Sequence, residues 1–300
     1  MVTNSSSTHP GIFKAWLMAI RIPTLPAAVV PVLVGTAVAF ASGAFRLGPF
    51  LAALVASLLI QIGTNLANDY FDNLKGADTA ERLGPVRVTQ SGLIAPHTVR
   101  NMMILTFGLA AVLGLYLILV GGWPILVIGV LSIAAGVLYT GGPWPLGYNG
   151  LGDLFTFIFF GVVAVVGTAY LHTLTFSTTA LVVSLPVAML VTAILVVNNL
   201  RDVNTDRVAN KRTLAVLLGE RTVRIEYAVL VFGAYVVVTG AWLLNLISPW
   251  SLLVWLTLPL AIAQVRLVST ASGRTLNQSL KKTGQIHMLF GILFAIGLML

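Results

Sequence analysis

The sequence predicts an all-α membrane protein. It has nine transmembrane helices in two four-helix halves plus a ninth, with the N-terminus cytoplasmic and the C-terminus outside. Three observations carry this expectation. Hydrophobic residues make up 58% of the 300 residues and charged residues only 9%, for a mean hydropathy of +0.97. Soluble domains carry about 25% charged residues. Long charge-free apolar runs recur along the chain, and the basic residues between them fall almost entirely on one side of the membrane.

Residues 1–12 are polar and Ser/Thr-rich, without a basic stretch leading into a short apolar core. They read as a disordered tail and not as a signal peptide. Residues 13–300 read as a single transmembrane domain. Charge-free apolar runs then follow at 24–43, 48–68, 101–121, 123–142, 154–173, 178–200, 227–247, 250–265 and a short last one at 286–300. Each is a candidate span, since about 20 apolar residues cross the hydrocarbon core. Pro23, Pro26 and Pro31 predict a bent or broken start to the first span. Cysteine is absent, which excludes disulfides and thiol chemistry.

The charges orient these spans. With the N-terminus inside, Lys14, Arg21, Lys75, Arg82, Arg87 and Arg100 are cytoplasmic. So are Arg201, Arg207, Lys211, Arg212, Arg221, Arg224, Arg266, Arg274, Lys281 and Lys282, and Arg46 alone lies outside. This is the positive-inside pattern. It also explains the formal charge of +8 as membrane topology, with no nucleic-acid partner implied. No topological rule segregates acids, yet Asp69, Asp72, Asp78, Glu81, Asp153, Asp202, Asp206, Glu220 and Glu226 share the basic side. The reactive face is therefore the cytoplasmic one.

Two polar stripes stand out on that face. Gln61, Asn65, Asn68, Asp69 and Asp72 fall at offsets 0, 4, 7, 8 and 11, which is one face of a helix. Asn199, Asp202 and Asp206 repeat the pattern at the end of the sixth span. Asn65-x3-Asp69 and Asn198-x3-Asp202 lie four spans apart in the same orientation, so the halves are expected to be related by an axis along the membrane normal. Asp69 with Asp72, and Asp202 with Asp206, suit Mg²⁺, which binds through one or two carboxylates plus substrate phosphates. The competing reading is a pair of ordinary solvated helix ends. It does not explain amides reaching from the acids into hydrocarbon, where polar groups are costly.

Lys75, Arg82, Arg87, Arg201, Lys211 and Arg212 stand beside these acids and are candidate phosphate ligands. Arg221, Arg224, Lys281 and Lys282 read as membrane anchors. The Gly/Pro-rich loop from Tyr139 to Asp153 adds Tyr139, Trp144 and Tyr148, whose ring faces stabilise cations. Trp and Tyr also belong at membrane interfaces for packing reasons alone. Asp153 opens the fifth span, where it can interact with the helix dipole. His9, His97, His172 and His287 lack metal-ligand spacing. Phe157, Phe159 and Phe160 read as packing or as part of an apolar tunnel.

These blocks resemble the UbiA superfamily of intramembrane prenyltransferases. The resemblance rests on Arg21-Ile-Pro-Thr-Leu-Pro, Asn65-Leu-Ala-Asn-Asp-Tyr-Phe-Asp72, Gly84-Pro-Val-Arg87 and Gln90-Ser-Gly. It also rests on Tyr139-Thr-Gly-Gly, Gly150-Leu-Gly-Asp153, Asn199-Leu-Arg-Asp202, Lys211-Arg-Thr-Leu-Ala and Leu289-Phe-Gly. It extends from about residue 13 to residue 300 and is strongest toward the branch acting on 1,4-dihydroxy-2-naphthoate. It implies a multi-pass protein of the bacterial inner membrane with its active site facing the cytoplasm. It further implies Mg²⁺ as cofactor and polyprenyl diphosphate and 1,4-dihydroxy-2-naphthoate as substrates. The reaction would be prenylation with decarboxylation, giving demethylmenaquinone.

On this resemblance Asn65, Asp69, Asp72, Tyr139, Asp202 and Asp206 are catalytic. Arg21, Asn68, Lys75, Arg82, Arg87, Tyr148, Asn199, Arg201, Lys211 and Arg212 bind substrate. Asp69, Asp72, Asp202 and Asp206 bind metal. Gly76 stands where the wider superfamily places a third aspartate, and Asp78 is the nearest substitute. Pro143-Trp-Pro-Leu-Gly147 lacks the Lys or Arg of members acting on 4-hydroxybenzoate, which favours the naphthoate branch. The alternatives are a homogentisate or 4-hydroxybenzoate acceptor, a phytyl donor or, more distantly, a secondary transporter. A transporter predicts ionisable groups near the midplane, whereas these cluster at one interface.

Overall fold

The computed structural model describes residues 11–77 and 83–300. The expected tail lies outside them except for its last two residues, and α1 (Ile12–Ile20) opens directly. A left-handed turn at Arg21 (φ 56°) and a short 3₁₀ segment, Ile22–Thr24, lead into α2 (Pro26–Ala41). The bend between the two is 47°. Pro23 and Pro26 cause it, because neither can donate a backbone hydrogen bond. The bent start read from the prolines is therefore present.

After α3 (Leu47–Leu74) come α4 (Pro96–Gly121), α5 (Trp123–Leu138) and α6 (Gly152–Thr156). A π-helical stretch, Phe157–Val163, joins α6 to α7 (Ala164–Thr173). Next are α8 (Thr178–Val208), the short α9 (Leu214–Leu218) and α10 (Glu220–Leu243). A 3₁₀ run, Pro249–Thr257, enters α11 (Leu258–Thr270), and α12 (Leu276–Met299) closes the chain.

Each expected apolar run lies on helix, but the span count differs. Among the described residues seven helices are long and apolar enough to cross a membrane, and an eighth is gained if the bent α1–α2 pair is one span. The expected fourth span becomes α5, of only 16 residues. That is about 24 Å, shorter than a hydrocarbon core of about 30 Å. Gly141 and Gly142, the latter at φ +76°, end it before the run of apolar residues does. The last helix is instead longer than its apolar run. It includes Lys281 and Lys282 and, with its short 3₁₀ lead-in, spans Gly273–Met299.

The second and sixth spans likewise outrun their apolar segments, to Leu74 and Val208. Both aspartate motifs are therefore helical and sit in the terminal turns. Helix α8 is the centre of the fold, with two thirds of its apolar window buried. Its Val183, Val187, Leu190 and Val197 join Val30 and Val34 of α2, Val231 and Tyr235 of α10, and Phe290 and Phe294 of α12 in one core. Glycines permit the closest crossings. A Cβ at Gly161, in the π stretch, would lie 2.1 Å from the Ala188 Cβ and 2.3 Å from its Cα. Backbone cannot yield cheaply, and overpacking costs about 1–3 kcal/mol. Gly161→Ala is expected to lower the thermal midpoint of detergent-solubilised protein by several degrees; an unchanged midpoint would show that the crossing relaxes freely.

At the end opposite the motifs, His172 is buried and structural. Its Nδ1 accepts the Arg46 backbone N–H at 3.1 Å, its Nε2 meets Thr36 Oγ1 at 3.3 Å, and Phe45 stacks on the ring. Lone Arg46 thus locks the start of α3 to the end of α7, its guanidinium donating to the Leu171 carbonyl.

Candidate active site

The site begins with the terminal turns of α3. Near the deeper end of its stripe, Asn65 donates to the Ile20 carbonyl at 2.9 Å and to Thr24 Oγ1 at 3.0 Å. Gln61 donates to the same hydroxyl at 3.1 Å. A broken helix inside a membrane leaves carbonyls that neighbouring side chains must satisfy. These amides do so, tying the α1–α2 bend to α3 beside Arg21. Asn68, one turn on, accepts from Thr140 Oγ1 at 2.9 Å and fastens the Tyr139–Asp153 loop.

The two acids of α3 have different partners. Asp69, 1% exposed, accepts the backbone N–H groups of Val88 and Thr89, each at 3.1 Å, and the Thr89 hydroxyl. It therefore folds the Gly84–Ser91 segment back over the end of α3. Asp72, 2% exposed, accepts from Arg87 at 2.8 Å on Oδ2 and from the Tyr148 hydroxyl at 2.8 Å on Oδ1. Arg87 thus faces a carboxylate here.

The second motif is arranged around Arg201, whose side chain is fully buried. Its guanidinium forks onto Asp202, Nε to Oδ1 at 2.8 Å and Nη2 to Oδ2 at 2.5 Å. It also donates to Asn198 Oδ1 at 2.9 Å and to Asn277 Oδ1 at 3.0 Å. Arg201 is thereby engaged with protein acceptors. Asp206, on the same face as Asp202 and the buried Asn199, lies 3.9 Å from Lys211 Nζ.

The loop from Tyr139 to Asp153 joins the motifs, with Tyr148 at the junction. Its hydroxyl holds Asp72, and Lys75 and Lys211 stand over its ring at 4.8 and 5.4 Å from the centroid. Its carbonyl accepts the Arg212 backbone N–H at 3.0 Å. Lys75 also donates to the Thr140 carbonyl at 2.6 Å. Burial draws the Lys75 ammonium below the usual lysine range, and the Asp72 carboxylate works against that shift. Tyr139 begins the same loop. Its ring and hydroxyl rest on Gly147 and Gly152, where a Cβ would approach to 2.9 Å. Trp144 is exposed, as an interfacial ring would be.

Tyr139 also lines an apolar cavity of about 330 Å³ among the helices. Ala28, Ile60, Gly129, Phe159 and Phe160 are among its walls. The wide π turn carries those two phenylalanines, and π turns inside α-helices concentrate at functional sites. Small residues on α2, α3 and α5 leave the space that larger ones would fill.

Two expected site residues, Asp78 and Arg82, lie outside the described residues. Among those described, no three carboxylate or imidazole groups are close enough to enclose one metal ion. The four aspartates offer only oxygen, the donor Mg²⁺ prefers. An ion held by one or two of them would complete its shell from a ligand's phosphates. That chemistry fits Mg²⁺.

Thr89, Thr140, Gly84 and Asn277 also belong to the site, and none was expected from sequence. The backbone contacts of Val88 with Asp69 have no side-chain signature. Asn277 lies far from either motif in the chain, with nothing local to mark it.

Comparison with known proteins shows the family and the fold. Residues 28–298 match the UbiA prenyltransferase family. The 1,4-dihydroxy-2-naphthoate octaprenyltransferase of Escherichia coli (strain K12) is 38% identical over 96% of both chains. The enzyme of the same name from Bacillus subtilis (strain 168) is 35% identical, over 93% of this chain and 90% of its own length. Among solved structures, a UbiA homolog from Archaeoglobus fulgidus bound to GPP and Mg²⁺ superposes with a TM-score of 0.64 at 13% identity. That match covers 95% of this chain and 99% of the other. With aspartates in the last turns of helices α3 and α8 and the family match running over residues 28–298, the chain belongs to the UbiA prenyltransferase family.

Proposed function

We propose that this protein transfers a polyprenyl group from polyprenyl diphosphate to 1,4-dihydroxy-2-naphthoate, with loss of carbon dioxide, giving demethylmenaquinone in its reduced quinol form and diphosphate. The observation that carries this reading is an apolar cavity lined by Tyr139, the first residue of the loop whose Tyr148 bonds Asp72 and lies beneath Lys75 and Lys211. An apolar tail and a diphosphate head need that adjacency. The near-full-length identity to two naphthoate prenyltransferases supports the acceptor.

In the reaction the allylic C–O bond breaks and its electron pair leaves on the diphosphate. The electron-rich ring carbon that bears the carboxylate forms the new C–C bond. Carbon dioxide then departs from that carbon and the ring regains aromaticity. Mg²⁺, when held by Asp69, Asp72, Asp202 and Asp206, would neutralise the leaving diphosphate. Lys75 and Lys211 flank Tyr148 between the motifs and suit the remaining phosphate charge. Tyr139 presents its ring at the mouth of the cavity, where an allylic cation forms. The cavity's walls exclude water that would capture that cation.

The nine-span topology, with α5 as a short fourth span, belongs to the same proposal. So do a cytoplasmic N-terminus, an outside C-terminus and a site facing the cytoplasm of a bacterial inner membrane. The basic residues on the motif side support this orientation.

The experiment is prenyl transfer by purified protein with one labelled polyprenyl diphosphate and each acceptor in turn. 1,4-Dihydroxy-2-naphthoate should yield labelled product with stoichiometric carbon dioxide. Faster turnover on 4-hydroxybenzoate or homogentisate would overturn the acceptor assignment, and preference for phytyl diphosphate would overturn the donor.

A further inference from the structure

The Gly84–Ser91 segment is fastened to both aspartate motifs. On the first-motif side, Asp69 holds the Val88 and Thr89 amides and Asp72 holds Arg87. On the second-motif side, among the described residues, Asn277 in the first turn of α12 makes the side-chain hydrogen bonds of the fastening. Its amide oxygen accepts Arg201 Nη1 at 3.0 Å, and its amide nitrogen donates to the Leu83 carbonyl at 2.8 Å. Gly84 follows directly, against the same guanidinium. A Cβ there would lie 2.6 Å from Arg201 Nη2 and 2.9 Å from Cζ.

A continuous series of contacts therefore runs Asp202–Arg201–Asn277–Leu83 and on through the segment to Asp72 and Asp69. Asn277 is the side chain that touches both the group orienting Asp202 and the segment hung on the first motif. It is uncharged, and both ends of its amide are committed to protein partners, so it is not suited to grip phosphate itself.

We propose that Asn277 is a positioning residue for the diphosphate site: it fixes the spacing of the two aspartate motifs by clamping Arg201 to the Leu83–Gly84 backbone. The proposal rests on the prenyl-transfer reading above. Without the amide, Nη1 loses its acceptor in a buried setting and the Leu83 carbonyl is released. Asp202 then loses its fixed orientation while Asp69 and Asp72 keep theirs. Binding that requires both motifs weakens, whereas steps that depend on the cavity and the acceptor do not.

The test uses full-length protein in detergent, with Asn277→Ala and Gly84→Ala as variants. Binding of magnesium diphosphate is read by calorimetry, and KM and kcat are read separately for prenyl diphosphate and for naphthoate. Both variants should weaken magnesium diphosphate by about tenfold, the scale of one lost hydrogen bond to a charged group, and raise the prenyl diphosphate KM to match. The naphthoate KM should stay within about twofold. Asn277→Asp keeps the acceptor for Arg201 but loses the donor to Leu83, and should be as defective as Asn277→Ala. Unchanged diphosphate affinity in the variants, with or without a lowered thermal midpoint, overturns the proposal. If Asn277→Ala does not fold, Gly84→Ala decides alone. Failure of wild type to prenylate naphthoate would instead overturn the functional reading, while the calorimetry still tests the clamp.

Discussion

Asp202→Ala is expected to reduce prenyl transfer by about a thousandfold at saturating Mg²⁺. Removing one preorganised electrostatic group at a reacting centre costs about 10²–10³ in rate, and this carboxylate has a second duty. It is the bidentate partner of Arg201, at 2.8 and 2.5 Å. Its loss would leave a buried guanidinium uncompensated, next to the proposed diphosphate position. Asp69→Ala should be comparably inactive for a different reason, since it also releases the Val88 and Thr89 amides that fold the neighbouring segment over the site. The measurement is initial-rate transfer of labelled prenyl to naphthoate across a Mg²⁺ titration. Near-normal turnover of either variant would sink the metal role of these motifs.

Arg201→Ala is expected to destabilise the fold by about 3–5 kcal/mol, the cost of leaving one member of a buried ion pair without its partner. Asp202, 5% exposed, would lose its ion-pair partner, and Asn198 and Asn277 would each lose a donor. Arg201→Lys should recover only part of the loss, because an ammonium cannot reproduce a fork that serves three residues. Thermal unfolding in detergent decides this, with Arg100→Ala as a comparison. Arg100 is exposed and meets only its neighbour Asn101, at 3.4 Å, so little change is expected. A midpoint for Arg201→Ala as high as that of Arg100→Ala would show the buried pair to be dispensable.

The contrast between Arg201 and Lys211 shows where sequence reasoning reaches its end. Both are basic residues beside the second motif, and both were expected to bind phosphate. In the structure Arg201 is bound to Asp202, Asn198 and Asn277, while Lys211 stands over the Tyr148 ring near Asp206. Charge and proximity in the chain are the same for the two; direction of the side chain is not. Asn65 makes the same point. It shares a helical face with Asp69 and Asp72, yet its amide is committed to the Ile20 carbonyl and Thr24, at the bend that Pro23 and Pro26 create.

The sequence by itself determined the membrane class, the helix positions, the segregation of acids onto one face and the pairing of Asn-x3-Asp motifs. Hydropathy, helical periodicity and charge bias are local properties, and each is written in consecutive residues. It also marked the Tyr139–Asp153 loop through its glycines, prolines and aromatic rings. Only the tertiary structure decided that Tyr148 joins the two motifs, that Arg87 and Arg201 pair with the aspartates, and that Asn277 and Gly84 clamp one motif's guanidinium to the other motif's segment. Arg201 and Asp202 are neighbours whose side-chain directions no local pattern gives; the contacts of Tyr148 and Asn277 link residues far apart in the chain, and helix packing sets which of many polar side chains meet. Helix length followed the same division. Apolar runs located the spans, but glycines ended α5 early and polar contacts carried α3 and α8 past their apolar ends.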